Sequence, residues 1–205
     1  METTLLSKSF VVGTIAYSLG KKAEETATHE WTVYLRPSNP DEDMSNYIKR
    51  VVFVLHPTLQ PPTRTLETGP FEVTERGWGE FEITLQIFFH DSRDNKPLEL
   101  QHMLKLYPDE NATAVQQAKP VVSEKYDEFV FSTPSDGLRQ RLSAEVTPSP
   151  KGWRHSPHAK WLTDYDAETP PTSLQSIYQM VTAELQNASK RRRMLEEEHK
   201  ALTEG

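Results

Sequence analysis

The chain has 205 residues, a formal net charge of −7 and no cysteine. That length holds one core of about 100–150 residues plus an appendage rather than two large domains, and the lack of thiols excludes disulfides and thiolate metal sites. The opening stretch METTLLSKSFVVGTIAYSLG lacks the basic start and unbroken apolar run of a signal peptide, and no segment approaches the roughly 18 apolar residues of a membrane span, so a soluble intracellular protein without membrane contact is expected.

A first strand is expected at about residues 10–19. The second, EWTVYLR, puts Trp31, Val33 and Leu35 on one face and Thr32, Tyr34 and Arg36 on the other, while KRVVFVLH, apolar on both faces, suits an inner strand. GWGEFEITLQIFFH opens with Trp78 between Gly77 and Gly79 and then alternates. Phe81, Ile83, Leu85 and Ile87 oppose Glu80, Glu82, Thr84 and Gln86, which predicts one buried and one wet face. Further strands are expected at 98–107 and 125–131, and RPSNPDED, HPTLQPPTR, ETGP and HDSRDNKP read as turns. Seven or eight short strands joined by turns rather than helices predict an all-β, antiparallel sandwich.

After VFSTP the character changes. SDGLRQRLS reads as a short helix and EVTPSPKGWRHSPHAKWLTDYDAETPP, rich in proline and polar residues, as a flexible linker, together covering 133–171. From 172 to 200, Leu174, Tyr178, Val181, Leu185, Ala188, Arg192 and Leu195 recur at four-three spacing, and the prolines of TPPTS suit a helix start. About 28 helical residues span only about 40 Å, marginal in isolation. The stripe therefore calls for a partner helix, a second copy or the sandwich, failing which the helix frays. Residues 1–132 carry 13 Lys and Arg against 20 Asp and Glu, and 133–205 carry 10 of each, so the whole net charge of −7 lies on the β-rich part. Such a surface repels a phosphate backbone and attracts basic peptides, so no duplex DNA binding by the sandwich is expected.

In order, THEWTVYLR, IKRVVFVLHPT, PPTR, GPFEVTERGWGEFEI, IFFHD, LKLYP and VVSEKYDEFVF resemble the YEATS domain family of chromatin proteins over roughly residues 8–132, most closely its small member shared by histone acetyltransferase and histone-variant exchange complexes. The resemblance implies an immunoglobulin-like sandwich, followed by a linker and a coiled-coil-like helix. Through Leu174, Tyr178, Val181 and Leu185 that helix would tether a non-enzymatic subunit to such complexes in the nucleus. It also implies a shallow slot for an acetylated or crotonylated lysine of a histone tail. Trp78 would form one wall, its ring stacked on the acyl amide and its backbone N–H on the acyl oxygen. The second wall, Phe or Tyr in the family, falls here on Leu59, and the hydroxyl that is usually a serine falls on Thr58. His29, His56 and Phe81 match positions that line or brace the slot, and Gly77, Gly79 and Glu80 complete its loop. No cofactor or metal is implied.

The chemistry fits that expectation. An acylated lysine has lost its charge and offers a flat amide with one donor and one acceptor. A reader must pair both, because leaving either desolvated and unpaired costs about 1–3 kcal/mol. Trp78, the Thr58 hydroxyl and a loop N–H supply an aromatic face, an acceptor and a donor. Each residue also has a plainer reading: Trp78 as a plug over the core, Leu59 as a loop anchor, His56 and His29 as packed strand-end residues, and Phe81 as part of the buried alternation. If Leu59 forms a wall it lacks a π face, so selectivity for planar crotonyl over acetyl weakens. HSPH lacks further ligands for zinc, KGWRHSPHAKW can touch nucleic acid, dock to a partner or do neither, and SKRRRM is similar to a nuclear import signal. No glycine-rich phosphate loop, metal motif or activated nucleophile is evident, so no enzyme is expected. The competing function is a scaffold or histone-chaperone-like subunit whose acyl binding is weak or lost.

Overall fold

The period-two alternation becomes eight strands in two antiparallel sheets: β1 Leu5–Ser18, β2 His29–Pro37, β3 Ile48–Val54, β4 Thr63–Leu66, β5 Phe71–Gly77, β6 Glu82–Phe89, β7 Leu98–Met103 and β8 Val121–Ser132. The first sheet runs β5-β2-β1-β8 and the second β4-β3-β6-β7. This computed structural model describes residues 5–23, 26–92, 96–108, 119–145 and 152–165, with isolated positions 182 and 192. The chain divides into two units, Met1–Asp166 and Ala167–Gly205, and the sandwich lies in the first. Apart from those two positions, the helix expected at 172–200, including Leu174, Tyr178, Val181 and Leu185, lies outside the described residues.

The core forms where the two inner faces meet. Trp31, Val33 and Leu35 from β2 and Phe10 and Val12 from β1 oppose Val51 and Phe53 from β3 and Ile83, Leu85 and Ile87 from β6. Burying each such side chain contributes about 1.5–3 kcal/mol, and interdigitation of the two faces fixes the sheet register. The strand read as apolar on both faces is an inner one, β3 between β4 and β6. β1 extends beyond the expected 10–19 at its start because Leu5–Ala16 pair with Val121–Ser132 of β8 throughout. A short helix, α1 (Asp136–Leu142), buries Leu138 and Leu142 and is fastened to the turn after β6, where Arg141 Nε donates to Asp91 Oδ2 at 2.9 Å; its Ser135 N-cap hydroxyl accepts the Leu138 N–H at 3.3 Å. Such a cap contributes about 1 kcal/mol.

The outer face of the first sheet is closed by residues 152–165. These residues, expected within the flexible linker, form a strap containing two 3-10 turns, Trp153–His155 and Ala159–Trp161. The physical reason is a buried charge network. Arg36 Nε and Nη2 donate to Glu124 Oε1 at 3.1 and 2.8 Å, and Nη2 also donates to the Thr163 carbonyl at 2.7 Å. The Thr163 N–H returns to Glu124 Oε2 at 2.9 Å. Trp153 covers the guanidinium at 4.3 Å, and the Tyr17 hydroxyl meets His158 Nδ1 at 2.9 Å. Gly13 makes this possible. A Cβ there would lie 2.7 Å from the Tyr34 hydroxyl, which crosses β1 to donate to Glu124 Oε1 at 2.9 Å. Burial, with the Glu124 carboxylate beside it, keeps the Tyr34 phenol protonated far above its ordinary range.

Candidate functional site

At one end of the sandwich the start of β2, the turn after β3, the β5–β6 connection and the segment after β7 come together. His29 opens β2 opposite Gly77, the last residue of β5. Trp78 to Phe81 link β5 to β6, and the Phe81 carbonyl accepts the Leu104 N–H at 2.9 Å, fastening the segment after β7 to them.

Trp78 is 62% exposed, so it does not plug the core. Its backbone is nevertheless held, for the Tyr107 hydroxyl donates to the Trp78 carbonyl at 3.2 Å. Glu80 fastens the same two loops: its Oε1 accepts the Leu106 N–H at 2.7 Å and the Tyr107 N–H at 3.3 Å, and its Oε2 faces Lys105 Nζ at 3.5 Å. Burial alone would push the Glu80 carboxyl up, but the two N–H donors and Lys105 outweigh it and hold the group below its usual range. The two glycines are not demanded by the fold. Neither backbone lies in the left-handed region, a Cβ on Gly79 would meet nothing within 4 Å, and one on Gly77 would make only ordinary contact with Trp31 Nε1 at 3.5 Å. What the glycines leave is bare backbone beside an exposed ring.

Each histidine is paired through Nδ1 with a threonine hydroxyl. The Thr28 hydroxyl donates to the Gly77 carbonyl at 3.3 Å and so must accept from His29 Nδ1 at 2.9 Å, which puts the His29 proton on Nδ1. Burial lowers the His29 pKa, partly offset by the Glu80 carboxylate, so the ring is neutral at neutral pH. His29 meets Tyr107 edge-on with ring centroids 5.0 Å apart. At His56, Nδ1 accepts the Thr58 N–H at 3.3 Å and lies 2.8 Å from the Thr58 hydroxyl. The Thr58 oxygen keeps lone pairs free to accept from an incoming amide N–H. His56 is tilted against Phe81 at 5.7 Å, and Phe81 in turn meets Trp31 edge-on at 5.8 Å.

Phe81 and Leu59 are partly buried and packed against the core. The Leu59 N–H closes a turn onto the His56 carbonyl at 2.9 Å, so Leu59 anchors the loop that carries Thr58. The structure thus brings His29, Gly77, Trp78, Glu80 and Phe81 together, with His56 and Thr58 joined to them through Phe81. Sequence reasoning missed Tyr107. Its only signal was an aromatic residue followed by proline at the end of LKLYP, just beyond a strand. Among the described residues no group of three or more His, Asp or Glu side chains gathers where it could hold a metal ion.

The YEATS family matches residues 26–108. The chain is 47% identical over 137 residues to transcription initiation factor TFIID subunit 14b of Arabidopsis thaliana, a match covering 67% of this chain; the chain spans about half the length of that relative, 51%. It is 35% identical over 162 residues to the AF-9 homolog of Kluyveromyces lactis, covering 71% of this chain and 72% of that protein. Among solved structures, a Yaf9 YEATS domain bound to H3K27ac superposes with a TM-score of 0.60 at 35% identity, covering 69% of this chain and 96% of the other.

Proposed function

The chain belongs to the YEATS family, and on that premise we propose that its sandwich reads acylated lysine on histone tails, as a non-catalytic nuclear subunit of histone acetyltransferase and histone-variant exchange complexes. The observation that carries this reading is Trp78: a large ring left 62% in solvent while its own carbonyl is tied down by Tyr107. An exposed aromatic with a fixed backbone gives the core little and offers a ligand a preset flat surface.

The acyl amide stacks on the Trp78 ring. Its N–H donates to the Thr58 oxygen, which His56 Nδ1 holds at 2.8 Å, and its carbonyl accepts a backbone N–H beside Gly79, where no Cβ intrudes. Neutral His29 and Tyr107 back the loop without adding a charge that the neutral amide would have to desolvate. The solved Yaf9 domain bound to H3K27ac supports this ligand class. Leu59, turned against the core, gives the slot no second ring, so acetyl and crotonyl should be discriminated only weakly. The same residue favours the competing reading, a scaffold or histone-chaperone-like subunit with little acyl binding.

The tether in this proposal is the stripe Leu174, Tyr178, Val181 and Leu185 on the 172–200 segment, pairing with a larger helix of the complex. Relatives named as AF-9 homologs and as a TFIID subunit support membership of chromatin and transcription assemblies. Calorimetric titration with an acetylated histone-tail peptide and its unmodified twin tests the reader function. Binding of the acetylated peptide alone, in the micromolar range, is expected; equal binding of both would leave the scaffold reading.

A further inference from the structure

A cavity of about 410 Å³ lies between the first sheet and the strap, away from the Trp78 cluster. The register fixes its position: β2 and β5 pair His29 with Gly77 at the Trp78 end and Leu35 with Phe71 at the cavity end. At about 3.3 Å per residue, β5 separates the two by roughly 20 Å.

Three features of the lining specify what it takes. Pro37, Pro70, Trp153, Pro157 and Leu162 give it an apolar wall, while Asp43 and Glu72 carry carboxylates into the lining. The other charges are already matched, Arg36 with Glu124 at 2.8 Å and Glu42 with Lys8 at 2.7 Å, whereas Asp43 and Glu72 have no ion-pair partner among the described residues. Second, the wall residue Trp153 is only 9% exposed and covers the Arg36 guanidinium at 4.3 Å, so that cation is already engaged. Third, Gly69 to Glu72 bring the start of β5 into the lining, and β5 is the edge of its sheet, with β2 as its one strand neighbour among the described residues.

We propose that this cavity takes a lysine or arginine side chain of an extended basic peptide, which adds as a strand along the free edge of β5. A cation on a long aliphatic stem matches an apolar wall with unneutralised carboxylates. An edge strand supplies main-chain hydrogen bonds, with a pocket for the alternating side chain. An anionic ligand meets repulsion from Asp43 and Glu72, and a purely apolar one leaves both carboxylates desolvated and unpaired. The site needs no acyl group and stands apart from the Trp78 reading.

The test uses the full chain and an unacylated ten-residue peptide of alternating lysine and threonine, with a glutamate-threonine peptide as control, followed by titration and amide hydrogen exchange. The lysine peptide should bind and the glutamate peptide should not, with alternate β5 amides gaining protection. Asp43→Asn, whose side-chain oxygen can still accept the Ser45 N–H that Asp43 Oδ1 takes at 2.9 Å, combined with Glu72→Gln should weaken binding about tenfold. Trp78→Ala should leave it unchanged. No binding, equal affinity in D43N/E72Q, unprotected β5 amides, or loss of binding in W78A would each overturn the proposal.

Discussion

Replacing Arg36 by methionine tests whether the strap is part of the fold. The guanidinium and its partner Glu124 are 4% and 3% exposed. Methionine keeps an apolar stem beneath Trp153 but removes both N–H donors to Glu124 Oε1 and the bond to the Thr163 carbonyl. Glu124 is then stranded with the Tyr34 hydroxyl and the Thr163 N–H, each at 2.9 Å. Breaking one partner of a buried pair costs about 3–5 kcal/mol. The two surviving donors put this case at the lower end, about 3 kcal/mol. A unit of this size loses about 2–4 °C of Tm per kcal/mol, so the calorimetric melt should fall by about 6–12 °C. Arg36→Met with Glu124→Met removes the stranded charge and should recover most of the loss. A single-variant melt within about 2 °C of wild type, or a double variant that melts below the single, would refute the network as the strap's anchor.

Glu80→Ala frees the N–H groups of Leu106 and Tyr107 that clamp the Trp78 loop. Acyl-peptide affinity should drop about tenfold, or ~1.4 kcal/mol, with little change in melting; an unaltered titration removes the clamp from the account. His102 is buried against Thr14 at 3.3 Å, and burial lowers its pKa below the ordinary 6.5, Lys125 adding to this while Glu124 and the Ser123 backbone oppose it. Because the folded value lies below the unfolded one, this stability is whole above about pH 6.5 and is lost as pH falls from there through the folded value. His102→Gln should flatten the decline of Tm on acidification below that point, and an unchanged slope contradicts the assignment. Leu185→Asp puts a charge into the stripe proposed to meet a partner helix, at a cost of several kcal/mol. It should lose complex subunits in a nuclear-extract pull-down while retaining peptide binding; retained subunits exclude this stripe as the tether.

The sandwich was legible because its information is local. Ile83, Leu85 and Ile87 alternate with polar residues, and all three are fully buried. The two-sided apolar run around Val51 and Phe53 likewise marks an inner strand. The strap was not legible, because a polar, proline-rich segment shows no periodicity; what holds it is Arg36, a residue on the outward face of β2, meeting Trp153 and Thr163 from more than a hundred positions away. Within the site, Trp78 was marked by its glycines. Tyr107 was not, because its role depends on a carbonyl 29 positions earlier in the chain. Leu59 was visible as a departure from the aromatic expected there, and its packing against the core reflects a turn geometry that composition alone does not specify.

Stacking of Trp78 on an acylated lysine sets the difference in affinity between acetylated and unmodified histone-tail peptides, to be measured on the wild-type chain and on Trp78→Ala with both melts recorded. Because the ring is 62% exposed, its removal should leave the melt nearly unchanged while abolishing most of the acetyl-dependent difference. A W78A chain that melts as wild type and still prefers the acetylated peptide by the same margin would contradict the account.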